Sequence, residues 1–177
     1  MKKSYLSADE FLRDSWRLAA KIAESDWKPE TLIALWRGGA FVGMAVHEFL
    51  KFKGYKLKHY PLKSASYSGI GENEGEVVFT LGEETFSMIK AGEKVLVVDD
   101  VFDTGKTALA VKKEIEKSGA DFRFASVYWK PNKNLTSIKP DYFTKELDDS
   151  WIVFPHELEG LSAEELEEKD PLLKGIV

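Results

Sequence analysis

Two short apolar runs, TLIALW (31–36) and KVLVVD (94–99), each break at a turn containing glycine and pass directly into a helical pattern. Six residues are too few for a buried helix, so each run reads as a strand buried on both faces. Such strands have no polar face and need helices above and below them. That restricts the chain to α/β architecture: a central, mainly parallel sheet built from βαβ units and flanked by helices.

The remaining elements are placed around these anchors. Ser7-Ala8-Asp9-Glu10 has the form of a capping box, and Phe11, Leu12, Trp16, Ala19, Ile22 and Ala23 then recur at helical spacing. AFVGMAVHEFLKF (40–52) predicts a second helix and YKLKHYPL (55–62) an extended segment. A polar loop, KSASYSGIGENEG (63–75), leads to the strand EVVFTL. GKTALAVKKEIEKSG predicts an amphipathic helix closed by Gly119 in the left-handed conformation. FRFASVYW (122–129), DYFTKEL and WIVF supply later strands, and an acidic helix begins near Ser162. With 177 residues and no repeat or linker, one domain spanning 1–177 is expected.

Composition removes several function classes. A formal net charge of -5 disfavours non-specific attraction to nucleic acid or an anionic membrane. The absence of cysteine removes disulfides, thiolate metal sites and thiol nucleophiles. No apolar run reaches the roughly 18 residues of a membrane span, and MKKSYLSADEFLRD is too charged for a secretory signal, so a soluble cytoplasmic protein is expected. The lack of Gln and Cys, with Lys and Glu dominating the charges, matches the bias of hyperthermophile proteins.

In parallel sheets ligands bind beyond the carboxyl ends of the strands, which directs attention to the junctions at Arg37 and Asp99. At the second, Asp103-Thr104-Gly105-Lys106-Thr107 leaves a strand and opens a helix. Helix N-terminal amides favour an anion, Gly105 allows close approach, and the Thr104 and Thr107 hydroxyls add donors, so the turn suits a monophosphate. Asp99 and Asp100, starting toward opposite faces of the strand end, suit the two donors of a sugar diol, or Mg²⁺ held directly or through water. A P-loop would need glycine where Asp100 stands. The DDxxD form of DDVFD belongs to all-helical metal sites, and helix capping accounts for only one of the three aspartates.

VLVVDDVFDTGKT (95–107) resembles the signature that binds 5-phosphoribosyl pyrophosphate (PRPP) in type I phosphoribosyltransferases, and other stretches resemble their purine-salvage branch. The resemblance implies that fold, with a small hood from the terminal segments (about 130–160) and a mobile loop (about 63–75). It also implies PRPP as donor, with the phosphate on Thr104, Gly105, Lys106 and Thr107 and the ribose on Asp99 and Asp100. Arg37-Gly38-Gly39 resembles the pyrophosphate loop, which in the family often contains a non-proline cis peptide; Trp36 is a bulky departure there. Ser66-Tyr67 resembles the Ser-Tyr pair of the closing loop.

On the acceptor side, Lys130-Pro131 resembles the Lys-Pro that meets a purine carbonyl, and such a point charge disfavours adenine. WIVFP resembles WIxxP, with Trp151 stacking on the base and the Ile152 carbonyl accepting from it. Glu157 stands where an Asp often binds a second metal, and His156 where bacterial enzymes have an aromatic. Asp103 is the expected general base, Asp99, Asp100 and Glu157 the expected ligands of Mg²⁺, and a 6-oxopurine the expected acceptor. His47 and His59 are read as structural. Phe41, Phe49 and Phe52 suggest a homodimer or higher homo-oligomer. The alternatives are a non-catalytic regulator of this fold that senses PRPP or nucleotides, or a transferase for another base.

Overall fold

The computed structural model of the chain describes residues 3–66, 77–82 and 84–173. In chain order the elements are β1 (Lys3–Tyr5), α1 (Ala8–Glu24), β2 (Thr31–Trp36), α2 (Gly38–Phe52), β3 (Lys58–Ser66) and β4 (Val77–Leu81). Then come α3 (Thr85–Met88), β5 (Lys94–Phe102), α4 (Lys106–Glu116), β6 (Asp121–Trp129), β7 (Tyr142–Glu146), β8 (Trp151–Val153) and α5 (Ala163–Lys169). The chain divides into two compact units, a large one of residues 12–149 and a small one of 1–11 with 150–177.

The large unit holds a six-stranded sheet in the order β4-β3-β2-β5-β6-β7, parallel except for the antiparallel β3–β4 pair at one edge. This is the α/β sheet expected from the two apolar runs. Alternate residues of those runs enter opposite layers. Ile33, Leu35, Val95 and Val97 join Leu62, Val111, Ile115 and Phe124 in one core cluster. On the other face α2 lies so close that a Cβ on Gly43 would sit 2.5 Å from the Ala34 methyl. The large unit gains its stability mainly from this two-sided apolar burial.

Three readings need correction. Trp16 is 45 % exposed, whereas Asp14 and Ser15 of α1 are fully buried. Asp14 tolerates burial because Arg17, Lys145 and the Tyr128 hydroxyl donate to it at 2.7–3.0 Å. β3 does not end at Leu62 but continues to Ser66, since the first residues of the expected loop pair with β4 after a register shift at Lys63/Ser64. Tyr67 lies outside the described residues. β5 likewise runs past Asp99 and Asp100 to Phe102, held by pairing with β6 (Asp99↔Ser126, Phe102↔Trp129).

The small unit pairs the two ends of the chain. β1 and β8 form a parallel ladder, Lys3↔Trp151 to Tyr5↔Val153. Phe11 stacks against Phe154 with ring centroids 5.2 Å apart, and Lys3 forms an ion pair with Glu165 at 2.6 Å. The acidic helix begins as expected, with a complete capping box between Ser162 and Glu165. The expected hood segment is divided, 130–149 falling in the large unit and 150–160 in the small one.

Candidate active site

The carboxyl ends of β2 and β5 bring the two junctions together. The Trp36–Arg37 peptide is cis, and α2 begins at once with Gly38. A Cβ on Gly38 would lie 2.0 Å from Asp100 Oδ2, and one on Gly39 would lie 2.4 Å from the Val98 carbonyl oxygen. Gly39 requires glycine because the β5 backbone passes directly beneath it, and a side chain at Gly38 would displace the Asp100 carboxylate. The turn and the acidic pair form one constellation.

Asp99 lines a cavity with Phe102 and Phe124, whereas Asp100 lies beneath Gly38. Each carboxylate turns back to the next residue's amide, Asp99 Oδ1 accepting from Asp100 N at 3.0 Å and Asp100 Oδ1 from Val101 N at 2.7 Å. Burial, and then the neighbouring Asp100 charge, push the Asp99 carboxyl well above its ordinary range.

A divalent cation would relieve that repulsion. Among the described residues no three His, Asp or Glu side chains gather into a site made by protein alone. Two adjacent carboxylates with substrate phosphates are a usual setting for Mg²⁺, so the donor set fits. Glu157 is otherwise engaged in the small unit: its carboxylate accepts from Phe154 N at 3.0 Å and its carbonyl from Lys169.

Beyond the aspartates, Gly105 has φ +77° and caps the start of α4. Asp99, Asp103, Thr104, Gly105 and Thr107 line a cavity of about 80 Å³ with Phe102 and Phe124. Lys106 is exposed at its edge. The segment after β6 closes over the turn: Lys130 N donates to the Phe102 carbonyl and Leu135 N to the Thr104 carbonyl, both at 3.0 Å. A Cβ on Gly105 would meet Thr136 Oγ1 at 2.5 Å and Asn134 Oδ1 at 2.7 Å.

Asp103 lies where these segments meet. Lys130 is buried, only 4 % exposed, and its Nζ is 3.5 Å from Asp103 Oδ2. Lys133 Nζ is 3.8 Å from the same oxygen, while Oδ1 is buried with no hydrogen-bond partner among the described residues. The sequence reading missed Lys133, Asn134 and Thr136. A signal for the first was present in Lys130-Pro131-Asn132-Lys133, because a 3-10 turn superimposes side chains three residues apart.

The large unit thus unites Arg37, Gly38, Gly39, Asp99, Asp100, Asp103, the 104–107 turn and Lys130. Trp151 (49 % exposed) and Ile152 stand on β8 of the small unit. Ser66 ends β3. His47 and His59 are in edge contact, with ring centroids 4.5 Å apart.

The phosphoribosyl transferase domain model matches residues 1–162. The chain belongs to that family. Among its curated relatives within the family is a xanthine-guanine phosphoribosyltransferase of Desulfotalea psychrophila, 30 % identical over 160 residues (90 % of this chain, 89 % of the relative). A hypoxanthine-guanine phosphoribosyltransferase of Lactococcus lactis is 27 % identical over 154 residues (86 % and 81 %). A hypothetical protein of Neisseria gonorrhoeae solved with bound ppGpp shares the phosphoribosyltransferase fold seen here, with a TM-score of 0.78 at 23 % identity over 99 % of this chain and 98 % of that one.

Proposed function

We propose that the chain transfers the 5-phosphoribosyl group from PRPP to a 6-oxopurine (hypoxanthine, guanine or xanthine), giving the nucleoside monophosphate and pyrophosphate in purine salvage. The observation that carries this reading is the Asp103–Lys130 pair, a carboxylate and a buried ammonium 3.5 Å apart beside the phosphate turn. A 6-oxopurine with its imidazole proton on N7 presents that N–H and the C6 carbonyl oxygen along one edge, and this pair offers an acceptor for one and a donor for the other.

In the proposed reaction the 104–107 turn holds the 5′-phosphate through amides and hydroxyls. The acidic pair holds the ribose diol, and Arg37 with the Gly38–Gly39 amides holds pyrophosphate. The sugar passes through an oxocarbenium-like state, and Asp103 accepts the proton of the incoming base. Bound at Asp99 and Asp100, Mg²⁺ would supply charge neutralisation of the leaving group. By resemblance, Trp151 takes the face of the base and the Ile152 carbonyl its edge. Glu157 is assigned a metal role by resemblance alone.

Homo-oligomer formation is assigned to α2 and β3; of the three phenylalanines of α2, Phe41 and Phe49 are half-buried and Phe52 is exposed. A cleft of about 520 Å³ lies there, with Trp36 and Met44, 50 % and 66 % exposed, on its walls. Sedimentation of Met44→Glu against the parent chain tests it, with a shift to monomer expected.

Nucleotide formation from PRPP and Mg²⁺ with hypoxanthine, guanine, xanthine, adenine and orotate tests the main reading. Turnover confined to 6-oxopurines supports it, and turnover of orotate or adenine instead overturns the base assignment. One observation favours a second reading, a regulator that senses guanosine tetraphosphate: the gonococcal protein that binds ppGpp matches the whole chain, small unit included. Tight ppGpp binding with no turnover of any base would establish the regulator.

A further inference from the structure

The 3-10 turn after β6 delivers two cations to one carboxylate oxygen. Lys133 N donates to the Lys130 carbonyl at 3.1 Å, which sets the two side chains on the same side. Their ammonium groups stand 3.5 Å (Lys130) and 3.8 Å (Lys133) from Asp103 Oδ2. Their settings differ, since the Lys130 side chain is 4 % exposed and that of Lys133 is 28 % exposed.

That difference divides their roles. An ammonium has three donors, and at 3.5 Å from the carboxylate Lys130 is ion-paired without a close hydrogen bond. Its donors are thus directed to an acceptor entering the pocket. Once a base carbonyl takes them, Asp103 loses part of its hold at the moment when its position matters most. Its other oxygen gives no support, being buried without a partner among the described residues. Lys133 is carried by a segment stitched to the phosphate turn through Leu135 N and the Thr104 carbonyl, so its backbone is fixed beside Asp103.

We propose that Lys133 is a positioning residue for the general base, holding Asp103 Oδ2 in place when Lys130 turns to the purine carbonyl. This inference rests on the 6-oxopurine transferase reading. It explains why one carboxylate is met by two lysines at 3-10 spacing. A lone lysine would have to serve base and carboxylate at once.

The test is steady-state kinetics of the full chain with PRPP, Mg²⁺ and the 6-oxopurine turned over fastest, comparing the parent with Lys133→Met, Lys133→Arg and Asp103→Asn. Lys133→Met is expected to lower kcat about 10–100-fold with both KM values within about twofold, since a small misplacement of a reacting group acts on this scale. Lys133→Arg, which restores the charge, should recover kcat to within about threefold of the parent. An unchanged kcat in Lys133→Met, a change in KM alone, or equal impairment of the Met and Arg variants overturns the proposal. A parent chain inactive on every 6-oxopurine overturns the transferase reading and this one with it. Activity lost in Asp103→Asn but kept in Lys133→Met overturns this one alone.

Discussion

The two ends of β5 treat their polar groups in opposite ways. At the amino end Glu93 is 8 % exposed, yet it accepts from the Thr31 hydroxyl, from Lys58 Nζ at 2.8 Å and from Lys90 N at 3.0 Å. Burial pulls its carboxyl upward, but the bonds from Lys58, Thr31 and the Lys90 amide outweigh it and leave Glu93 below the ordinary glutamate range. Nearby, Trp27 Nε1 donates to Asp121 at 2.6 Å. At the carboxyl end Asp99 is pushed up, and Asp103 Oδ1, Ser126 Oγ and Trp129 Nε1 are buried without partners among the described residues. A fold that satisfies a buried acid at one end of a strand and, at the other, raises one carboxyl and leaves a second without a partner on one oxygen marks the second end as the one suited to a ligand.

Substitutions at the two ends should separate turnover from stability, and the largest contrast is at Asp103. Asp103→Asn is expected to lower kcat about 10²–10⁴-fold in the PRPP assay, out of proportion to any loss of melting temperature. Next comes the turn above the aspartates. Gly39→Ala drives a methyl to within 2.4 Å of a backbone carbonyl that has little freedom to move, and should cost about 1–3 kcal/mol in denaturant unfolding. Gly38→Ala meets the end of the Asp100 side chain instead, so the expected result is weaker PRPP binding by calorimetry with less destabilisation.

At the amino end Glu93→Gln should cost about 1–3 kcal/mol while kcat stays at the parental value. Because the folded carboxyl of Glu93 is depressed, its contribution is present above the ordinary glutamate pKa and is lost as pH falls toward the folded value. Unfolding curves of parent and variant should therefore approach each other in acid. Asp99→Asn is the smallest expected effect and has the opposite sign. A raised folded pKa penalises folding above the ordinary aspartate range, so the variant should melt higher near neutrality, with the gain vanishing on acidification. A lower melting temperature at neutral pH would contradict the contrast.

What could be read in advance follows from how locally it is determined. β2 was legible residue for residue because TLIALW is bounded by its own turn signals, and Gly119 takes the left-handed conformation (φ +76°) that its place after the helix demands. The turn at 104–107, where Gly105 opens α4, was equally local. Long-range partnership was not legible. Nothing near Asp14 announces that Tyr128 and Lys145 will bury it, and β5 outlasts its apolar run only because β6 lies alongside. The candidate site divides in the same way: the glycines, Asp103 and Lys130 belong to local motifs, whereas Asn134 and Thr136 reach Gly105 only because a later loop folds back onto it.

The parallel pairing of β1 with β8 has a consequence for the order of events during synthesis. Lys3 leaves the ribosome early and must wait for Trp151 before its ladder can form. By then the strands and helices of residues 12–149 have all emerged and can assemble as a unit. β1 is thus made before the large unit and paired after it, which makes its protection a natural reporter of the synthesis of β8 in a stalled-ribosome experiment.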